Sequence, residues 1–234
     1  MADDWNKSWD DDFTPWHGEA ADSWFWEFSD RIFSQLGESS IRVLVPLCGH
    51  SYSPKRFYEA GHSVTGVDIV PKAINELSAR DFSDVEFEER ELEGIAGATL
   101  SARIADRLSL VVGDFFSFDD PDGFDLIYDR AAFLALPEDL RGKYGAKLLE
   151  LVKGSGLIVV KTDFWEGESL VAPYPLNVDG LDRYLIGTPR VTLREQESEI
   201  RAPHLIERGI TTSVGALSVY SKEFDLGKLQ ERSS

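Results

Sequence analysis

The chain has a single cysteine, Cys48, and only four histidines among its 234 residues. One cysteine excludes an intrachain disulfide and a cysteine-rich metal site, and scattered histidines give a zinc centre little to be built from, so we expect no metal. Bases are scarce as well, because 24 Lys and Arg stand against 42 Asp and Glu, a formal net charge of −18. Binding to nucleic acid or to an anionic membrane relies on basic side chains, so we expect neither as a partner.

Long hydrophobic runs and targeting signals are missing too. No apolar run approaches the roughly 18 residues of a membrane span, and the acidic N-terminus has the wrong charge for a secretory or transit peptide. We therefore expect a cytoplasmic protein. With 42% apolar and 28% charged residues, a chain of this length fits one α/β domain with a substantial core, and we expect a monomer.

Glycine is sparse at the one place where many nucleotide-binding proteins need three of them. The stretch 42–50, RVLVPLCGH, predicts a buried strand followed by a tight turn at Gly49, and GHSVTGVD predicts a second strand ending in Asp68, 19 residues later. This spacing places a carboxylate within reach of a ribose. A dinucleotide site uses G-x-G-x-x-G, so a nucleoside without phosphates, such as S-adenosylmethionine, is favoured over the cofactor of a nicotinamide dehydrogenase.

Seven segments are predicted to be strands: 41–47, 63–69, 108–112, 124–128, 157–162, 189–197 and 216–224. Helices are predicted from Ser53 to Gly61, from Pro71, and over 137–152. This alternation is typical of an α/β fold whose central, mostly parallel seven-stranded sheet has helices on both faces. The last two strands have no convincing helix between them, so we expect an antiparallel hairpin at the sheet edge.

Three other segments are predicted from composition and periodicity. Residues 19–36 follow a helical pattern with one apolar face, made of Trp24, Phe28, Ile32 and Leu36. Residues 83–106 are acidic, and we expect a surface loop there with room for one helical turn. The opening segment around Trp5 and Trp9 is polar and is predicted to be irregular.

Acids end four successive predicted strands: Asp68, Asp114, Asp129 and Asp163. Ligands of open α/β sheets bind beyond the carboxyl ends of the strands, so these acids are candidate ligand contacts. We expect Asp68 to accept both ribose hydroxyls and Asp114, with Phe115, to border the adenine.

Tryptophan is concentrated in the first 26 residues, which contain five of the six. An indole face attracts a cation by roughly 0.5–2 kcal/mol, and a sulfonium is a cation. We expect Trp5 and Trp9 to form a lid over it, whereas Trp24 and Trp26 are expected to pack a helix on the sheet. Cys48 is interpreted as a half-buried turn residue rather than a nucleophile.

Several motifs, taken in order, resemble those of the thiopurine S-methyltransferase family. They are Trp5-x-x-x-Trp9 before Phe13-Thr14-Pro15-Trp16-His17, then Pro46-Leu47-Cys48-Gly49, Gly61 to Asp68, Phe124 to Ala132 continuing as Ala135-Leu136-Pro137 with Arg141 and Tyr144, and Glu207-Arg208-Gly209. The family includes thiol and halide methyltransferases and belongs to the class I S-adenosylmethionine-dependent methyltransferases.

The resemblance implies a Rossmann-like class I fold and a set of cofactor contacts. Residues 1–234 would form one domain, divided into an N-terminal lid segment and helix (1–36), a cofactor-binding core (37–165) and an acceptor side with edge strands (166–234). The implied cofactor contacts are Trp5, Trp9, Leu47, Gly49, Asp68, Ile69, Asp114, Phe115 and Arg130. Family members often have Glu at the position of Asp68, and the shorter acid can do the same work.

The implied reaction is methyl transfer from S-adenosylmethionine to the sulfur of a small thiol. Arg130 and Arg208 are the predicted catalytic residues, because a guanidinium lowers the thiol pKa from its usual 8.5 or so and raises the thiolate fraction. Trp16 and His17 are predicted to bind the acceptor with the two arginines. The proton would go to water or to a carboxylate such as Asp12 or Asp129. The alternative for Arg130 is an ion pair with Asp125 or Asp129.

Two alternative functions stay open. The element Thr14-Pro15-Trp16 resembles the halide and thiol branch, which usually lacks the Asp129-Arg130 pair, so halide or selenium and tellurium species are alternative acceptors. A nucleoside-binding module without catalysis is the second alternative, since fold by itself does not decide function.

Overall fold

The computed structural model describes residues 2–11, 23–37, 39–167, 172–200 and 203–229. These residues form two compact units. The first takes its described residues from Met1–Ser23 and Glu38–Phe124, and the second takes them from Trp24–Gly37 and Asp125–Ser234. The division into 1–36, 37–165 and 166–234 stays a prediction. Among the described ranges, no helix has both the length and the apolar character to cross a membrane.

The α-helices of the described residues are α1 (Ala2–Asp10), α2 (Ser23–Leu36), α3 (Ser53–Glu59), α4 (Pro71–Asp81), α5 (Ala132–Ala135), α6 (Glu138–Leu151), α7 (Val178–Asp182) and α8 (Pro203–Ile206). The strands are β1 (Arg42–Pro46), β2 (Ser63–Asp68), β3 (Glu88–Glu93), β4 (Thr99–Ala105), β5 (Leu108–Val112), β6 (Phe124–Arg130), β7 (Val152–Phe164), β8 (Arg190–Glu199) and β9 (Thr212–Tyr220). All seven predicted strands are present.

The first unit contains the parallel strands that position the predicted cofactor residues. Its strand order is β3-β4-β5-β2-β1. The strands β1, β2 and β5 are parallel, with Val43 opposite Val64 and Val64 opposite Leu108. Val43, Leu44 and Val45 are almost fully buried, as expected for a strand covered on both faces. The carboxyl ends of β1, β2 and β5 therefore lie side by side.

The prediction of a loop over 83–106 was wrong, because β3 and β4 form an antiparallel hairpin there, but the helical turn allowed for is present as the 3-10 helix Ile95–Gly97 between them. In β4, buried Leu100 and Ala102 alternate with exposed Thr99 and Ser101, the period of two that a strand shows. In β3, five of the six residues are exposed, so the strand has no apolar pattern to predict it from. With this hairpin the described residues contain nine strands, two more than the seven predicted.

The second unit has the strand order β6-β7-β9-β8. β9 pairs antiparallel with both β7 and β8, with Tyr220 opposite Ile158 and Arg190, so the predicted antiparallel edge pair is confirmed. Helix α2 buries Phe25, Ser29 and Ile32. That face is turned from the predicted one, of which only Ile32 is fully buried. Between β8 and β9, where no convincing helix was predicted, the chain forms the short helix α8.

Candidate active site

The turn after β1 has two residues in the left-handed region of the backbone, Leu47 (φ 46°) and Gly49 (φ 52°). Glycine adopts this conformation freely, whereas a residue with a Cβ loses about 1–2 kcal/mol there. The backbone N–H of Cys48 donates to the carbonyl of Val67 at 3.1 Å, which ties the turn to β2. Strained backbone of this kind clusters at ligand-binding sites, so Leu47 marks the turn as a candidate site.

Asp68, at the end of β2, holds this turn in place. Its Oδ2 accepts a hydrogen bond from the Gly49 N–H at 2.8 Å, and its Oδ1 accepts one from the Val70 N–H at 2.9 Å. The residue is 8% exposed, and burial raises the pKa of its carboxyl, while hydrogen bonds from Val70, Gly49 and Ile69 oppose that rise. A carboxylate can accept about four hydrogen bonds, so Asp68 keeps capacity for a hydroxyl donor. The hydrogen bond from the Gly49 N–H to Asp68 was not predicted from the sequence.

The segment of Trp5 and Trp9 is helical rather than irregular, which corrects the sequence-based prediction. Trp9 is 4% exposed and packs with Val70 and Ala73, and Trp5 and Ile69 pack against this cluster. Lys72 donates from Nζ to the Trp9 carbonyl at 2.7 Å, at the end of α1. A polar sequence forms a stable helix here because α4 covers its two tryptophans. Trp5, Trp9 and Ile69 are thus brought together beside Asp68.

His50 belongs to the same group of residues, although the sequence analysis did not single it out. Its ring meets that of Trp9 edge to face, with centroids 4.8 Å apart. Its Nδ1 lies 2.9 Å from Oε2 of Glu76, and Nζ of Lys72 lies 3.8 Å from Oε1 of the same Glu76 side chain. Burial lowers the pKa of His50, against the opposing effect of Glu76. The i, i+4 spacing of Lys72 and Glu76 on α4 is visible in the sequence, whereas the contact of Glu76 with His50 joins residues 26 positions apart.

Asp114 and Phe115 follow β5. Asp114 is exposed, and its Oδ1 accepts from the Phe116 N–H at 3.1 Å, capping the short 3-10 helix Phe115–Ser117. Phe115 is 5% exposed. The Gly113 N–H donates to the carbonyl of Asp68 at 2.9 Å, so the ends of β5 and β2 are joined directly. The structure therefore brings Asp114 and Phe115 to the strand ends that carry Gly49 and Asp68.

The predicted catalytic arginines lie in the second unit. Arg130 is half-buried and ends β6, and Ala131 after it has a left-handed backbone (φ 64°). Arg208 has an exposed side chain in the turn after α8. The alternative of an ion pair between Arg130 and Asp125 or Asp129 stays a prediction, and both carboxylates also have contacts of their own. Asp125 bonds to Lys153 at 2.7 Å, while Asp129 bonds to the hydroxyl of Tyr144 and the N–H of Ala132.

Asp129 is fully buried, and burial raises the pKa of its carboxyl from 3.8 to about 7, against the hydrogen bonds from Tyr144, Ala132 and Phe133. Three other predicted residues, Asp12, Trp16 and His17, lie outside the described residues. Within the described ranges, no three His, Cys, Asp or Glu side chains come together as metal ligands would.

A family model described as Thiopurine S-methyltransferase (TPMT) matches residues 1–222 of the chain. The chain belongs to the thiopurine S-methyltransferase family. The thiopurine S-methyltransferase of Legionella pneumophila is 28% identical over 218 residues, which cover 88% of this chain and 91% of that protein. The one of Pseudomonas fluorescens is 31% identical over 160 residues, covering 67% of this chain and 70% of that protein. The family predicted from the motifs is confirmed.

A comparison with solved structures supports the fold. The Burkholderia thailandensis 1,6-didemethyltoxoflavin-N1-methyltransferase, solved with S-adenosylhomocysteine, is 19% identical, with a TM-score of 0.61 over 95% of this chain and 87% of that chain. The Rossmann-like class I methyltransferase fold is therefore confirmed. As a thiopurine S-methyltransferase family member, the protein is an S-adenosylmethionine-dependent methyltransferase, and the predicted cofactor is confirmed.

The residues of the first unit fit this cofactor. Gly49 has no side chain to stand between the bend and a ligand, and Asp68 is a buried acceptor with capacity for ribose hydroxyls. The turn offers one glycine where a pyrophosphate cradle needs three, in agreement with a ligand that has no phosphate.

Proposed function

We propose that this protein transfers the methyl group of S-adenosylmethionine to the sulfur of a small thiol. The observation that carries the proposal is the contact of Asp68 with the Gly49 N–H, in a chain of the thiopurine S-methyltransferase family. This contact joins the acid that suits a ribose to the turn that suits the methionine end. Homologous thiopurine S-methyltransferases support sulfur as the acceptor atom.

The cofactor contacts that we propose lie mostly in the first unit. Leu47 and Gly49 would line the methionine end, and Asp68 would hold the ribose. Ile69, Asp114 and Phe115 would border the adenine. Trp5 and Trp9 would cover the sulfonium, and Trp9 is already fixed by Lys72 and by its packing on α4, which reduces the ordering that such a cover requires. Arg130, in the second unit, is proposed as a further contact.

The acceptor contacts that we propose are Arg130, Arg208, Trp16 and His17. The cofactor supplies an electrophilic methyl group, so the protein has to align a thiolate in line with it, and alignment can supply about 7–11 kcal/mol. A guanidinium cannot accept the thiol proton but stabilises the thiolate. Asp129 is fully buried, and both of its oxygens have donors, which favours water as the proton acceptor.

The decisive experiment is a screen of the purified protein with S-adenosylmethionine and acceptors from four classes: thiols, thiopurines, halides and selenols. We expect S-adenosylhomocysteine to form fastest with a thiol or thiopurine. Evolution of methyl halide without thiol turnover would instead favour the halide alternative. Saturable S-adenosylmethionine binding with no turnover on any acceptor would favour a nucleoside-binding module and would end the proposal.

The role of Asp68 is tested by calorimetry on Asp68→Asn. An amide has one oxygen for two N–H donors, so both the turn and the ribose contact suffer, and hydrogen bonds to a charged group are worth about 1.5–3 kcal/mol each. We expect the affinity for S-adenosylmethionine to fall at least tenfold. Asp106→Asn is the matched control, because that side chain is 93% exposed in the same unit. Equal affinities in both variants would remove Asp68 from the cofactor site.

We also propose that the protein is a cytoplasmic monomer acting on a small molecule. Size-exclusion chromatography with light scattering tests the monomer against the chain mass of 26.2 kDa. A mass of twice that value at micromolar concentration would contradict it.

A further inference from the structure

The end of β6 carries Arg130 into a short turn that is braced by buried polar contacts. The tyrosine hydroxyl of Tyr144 donates to Oδ2 of Asp129 at 2.8 Å, and the Ala132 N–H donates to Oδ1 at 2.7 Å. Both Asp129 and Tyr144 are 0% exposed. The contacts thus fix the residue immediately before Arg130 from two sides, in a place that water does not reach.

The residue after Arg130 is held as well. The Ala131 N–H donates to the carbonyl of Lys161 on β7 at 3.1 Å, and the Leu134 N–H donates to the carbonyl of Ala131 at 3.0 Å. The left-handed backbone of Ala131 persists only because these contacts over-determine it. The backbone of Arg130 is therefore clamped at both of its neighbours.

Helix α6 supplies the brace from one face. Arg141 and Tyr144 are at positions i and i+3 and so lie on the same side of the helix. Arg141 donates from Nε to the carbonyls of Phe133 and Leu136, each at 3.0 Å, while the Tyr144 ring meets that of Phe133 edge to face with centroids 4.7 Å apart. Two successive contacts from α6 thus hold α5, and the turn before it, to one position.

We propose that Tyr144, acting through Asp129, is a positioning residue for Arg130. The pair fixes the direction in which the guanidinium leaves the end of β6, and with it the place where an acceptor thiolate is stabilised. The last step rests on the proposed function, whereas the positioning itself is a property of the second unit alone.

The first test is kinetic and compares two tyrosines with the same bond. Tyr144→Phe removes the hydroxyl that donates to Asp129, and Tyr220→Phe removes one that donates to Asp182 at the same distance of 2.8 Å. A misplacement of about 1 Å can reduce turnover about a hundredfold. For Tyr144→Phe we expect kcat/KM for a thiol to fall at least tenfold at pH 7 and less at pH 9, where thiols ionise unaided. The affinity for S-adenosylmethionine should stay within twofold, and Tyr220→Phe should keep its activity. An equal loss in both variants would overturn the inference.

The second test needs no turnover and separates this inference from the proposed function. The Nε atom of Arg130 is buried, so its N–H gives a protected signal in a spectrum of ¹⁵N-labelled arginine side chains, assigned by its loss in Arg130→Lys. We expect the Nε proton of Arg130 to exchange with water at least ten times faster in Tyr144→Phe, and its exchange rate to stay unchanged in Tyr220→Phe. An unchanged signal in Tyr144→Phe would overturn the inference even if the enzyme methylates thiols. A faster one would sustain it even if no thiol is an acceptor.

A second variant covers the case in which Tyr144→Phe does not fold. Asp129→Asn keeps an oxygen for the Ala132 N–H, and its amide can donate to the oxygen of Tyr144. If Tyr144 and Asp129 act by fixing the position of Arg130, the exchange rate of the Arg130 Nε proton in Asp129→Asn should remain within about threefold of its rate in the unaltered protein. A lost signal in this variant would show that charge, and not position, is what Asp129 provides.

Discussion

Replacement of Asp129 by asparagine should remove a pH dependence of stability that this one side chain creates. The carboxyl is fully buried, and burial raises its pKa from 3.8 to about 7. The folded state therefore holds the proton more tightly than the unfolded state. The stabilisation of the folded state by this protonated carboxyl is fully present below about pH 4. It is lost as the pH rises through 7, where the carboxyl ionises while still buried.

The magnitude follows from the two pKa values. A rise from 3.8 to about 7 corresponds to roughly 4 kcal/mol in total, at about 1.36 kcal/mol for each pKa unit. Between pH 5 and pH 8 the unfolded state is almost fully ionised while the folded state titrates, so roughly 2–3 kcal/mol of this difference falls within that window. An asparagine does not titrate, and its amide can accept from Ala132 and donate to Tyr144.

Urea unfolding at pH 5, 6.5 and 8 measures the effect. We expect the unfolding free energy of Asp129→Asn to gain roughly 2–3 kcal/mol relative to the original protein between pH 5 and pH 8. Asp182→Asn is the control for removing one negative charge from a chain of net charge −18, since Asp182 also accepts a tyrosine hydroxyl but its side chain is 43% exposed. A constant difference between the original protein and Asp129→Asn over this range, or a drift equal to that of the control, would refute the reasoning.

Outcomes are expected for four further substitutions. Gly145→Ala should lower the unfolding free energy by about 1–3 kcal/mol, because its Cβ would lie 2.2 Å from the Tyr184 carbonyl oxygen. In the same helix, Gly142→Ala meets open space and should gain up to about 1 kcal/mol; equal effects in urea unfolding would contradict the packing of α6. Lys72→Met removes the donor to the Trp9 carbonyl and should speed proteolysis of the N-terminal segment and weaken S-adenosylmethionine binding several-fold; unchanged digestion and calorimetry would show that α1 docks without this bond. Arg130→Ala should lower thiol turnover more at pH 7 than at pH 9, and a loss independent of pH in steady-state kinetics would contradict thiolate stabilisation.

Local patterns predicted the part of the molecule that depends on neighbours along the chain. The turn at Gly49 and the acid at Asp68 were predicted from strand periodicity and a spacing of 19 residues. In the structure the Gly49 backbone nitrogen lies 2.8 Å from Oδ2 of Asp68. Both strands are buried on two faces, so their hydrophobic runs identify them without tertiary information. The same strands carry two of the motifs by which the family was recognised, Pro46 to Gly49 and Gly61 to Asp68.

Helix α1 and the hairpin of β3 and β4 could not be predicted in this way. The nine residues of α1 are too few for a stable isolated helix, and it forms because Trp9 packs on Val70 and Ala73. β3 is an exposed edge strand whose conformation comes from backbone pairing with β4. Neither the packing of Trp9 nor the pairing of β3 with β4 can be predicted from the pattern of side chains along the chain.

By itself, then, the sequence determined the parallel core, the turn at Gly49, the acid of β2 and the family. Only the tertiary structure decided that Asp68 clamps the turn, that α1 is a docked helix, and that Tyr144 reaches Asp129 from 15 residues away. The physical reason is that strand and turn preferences act over a few residues. The direction of a buried hydrogen bond and the pKa of a buried carboxyl depend on which distant side chains exclude water around them.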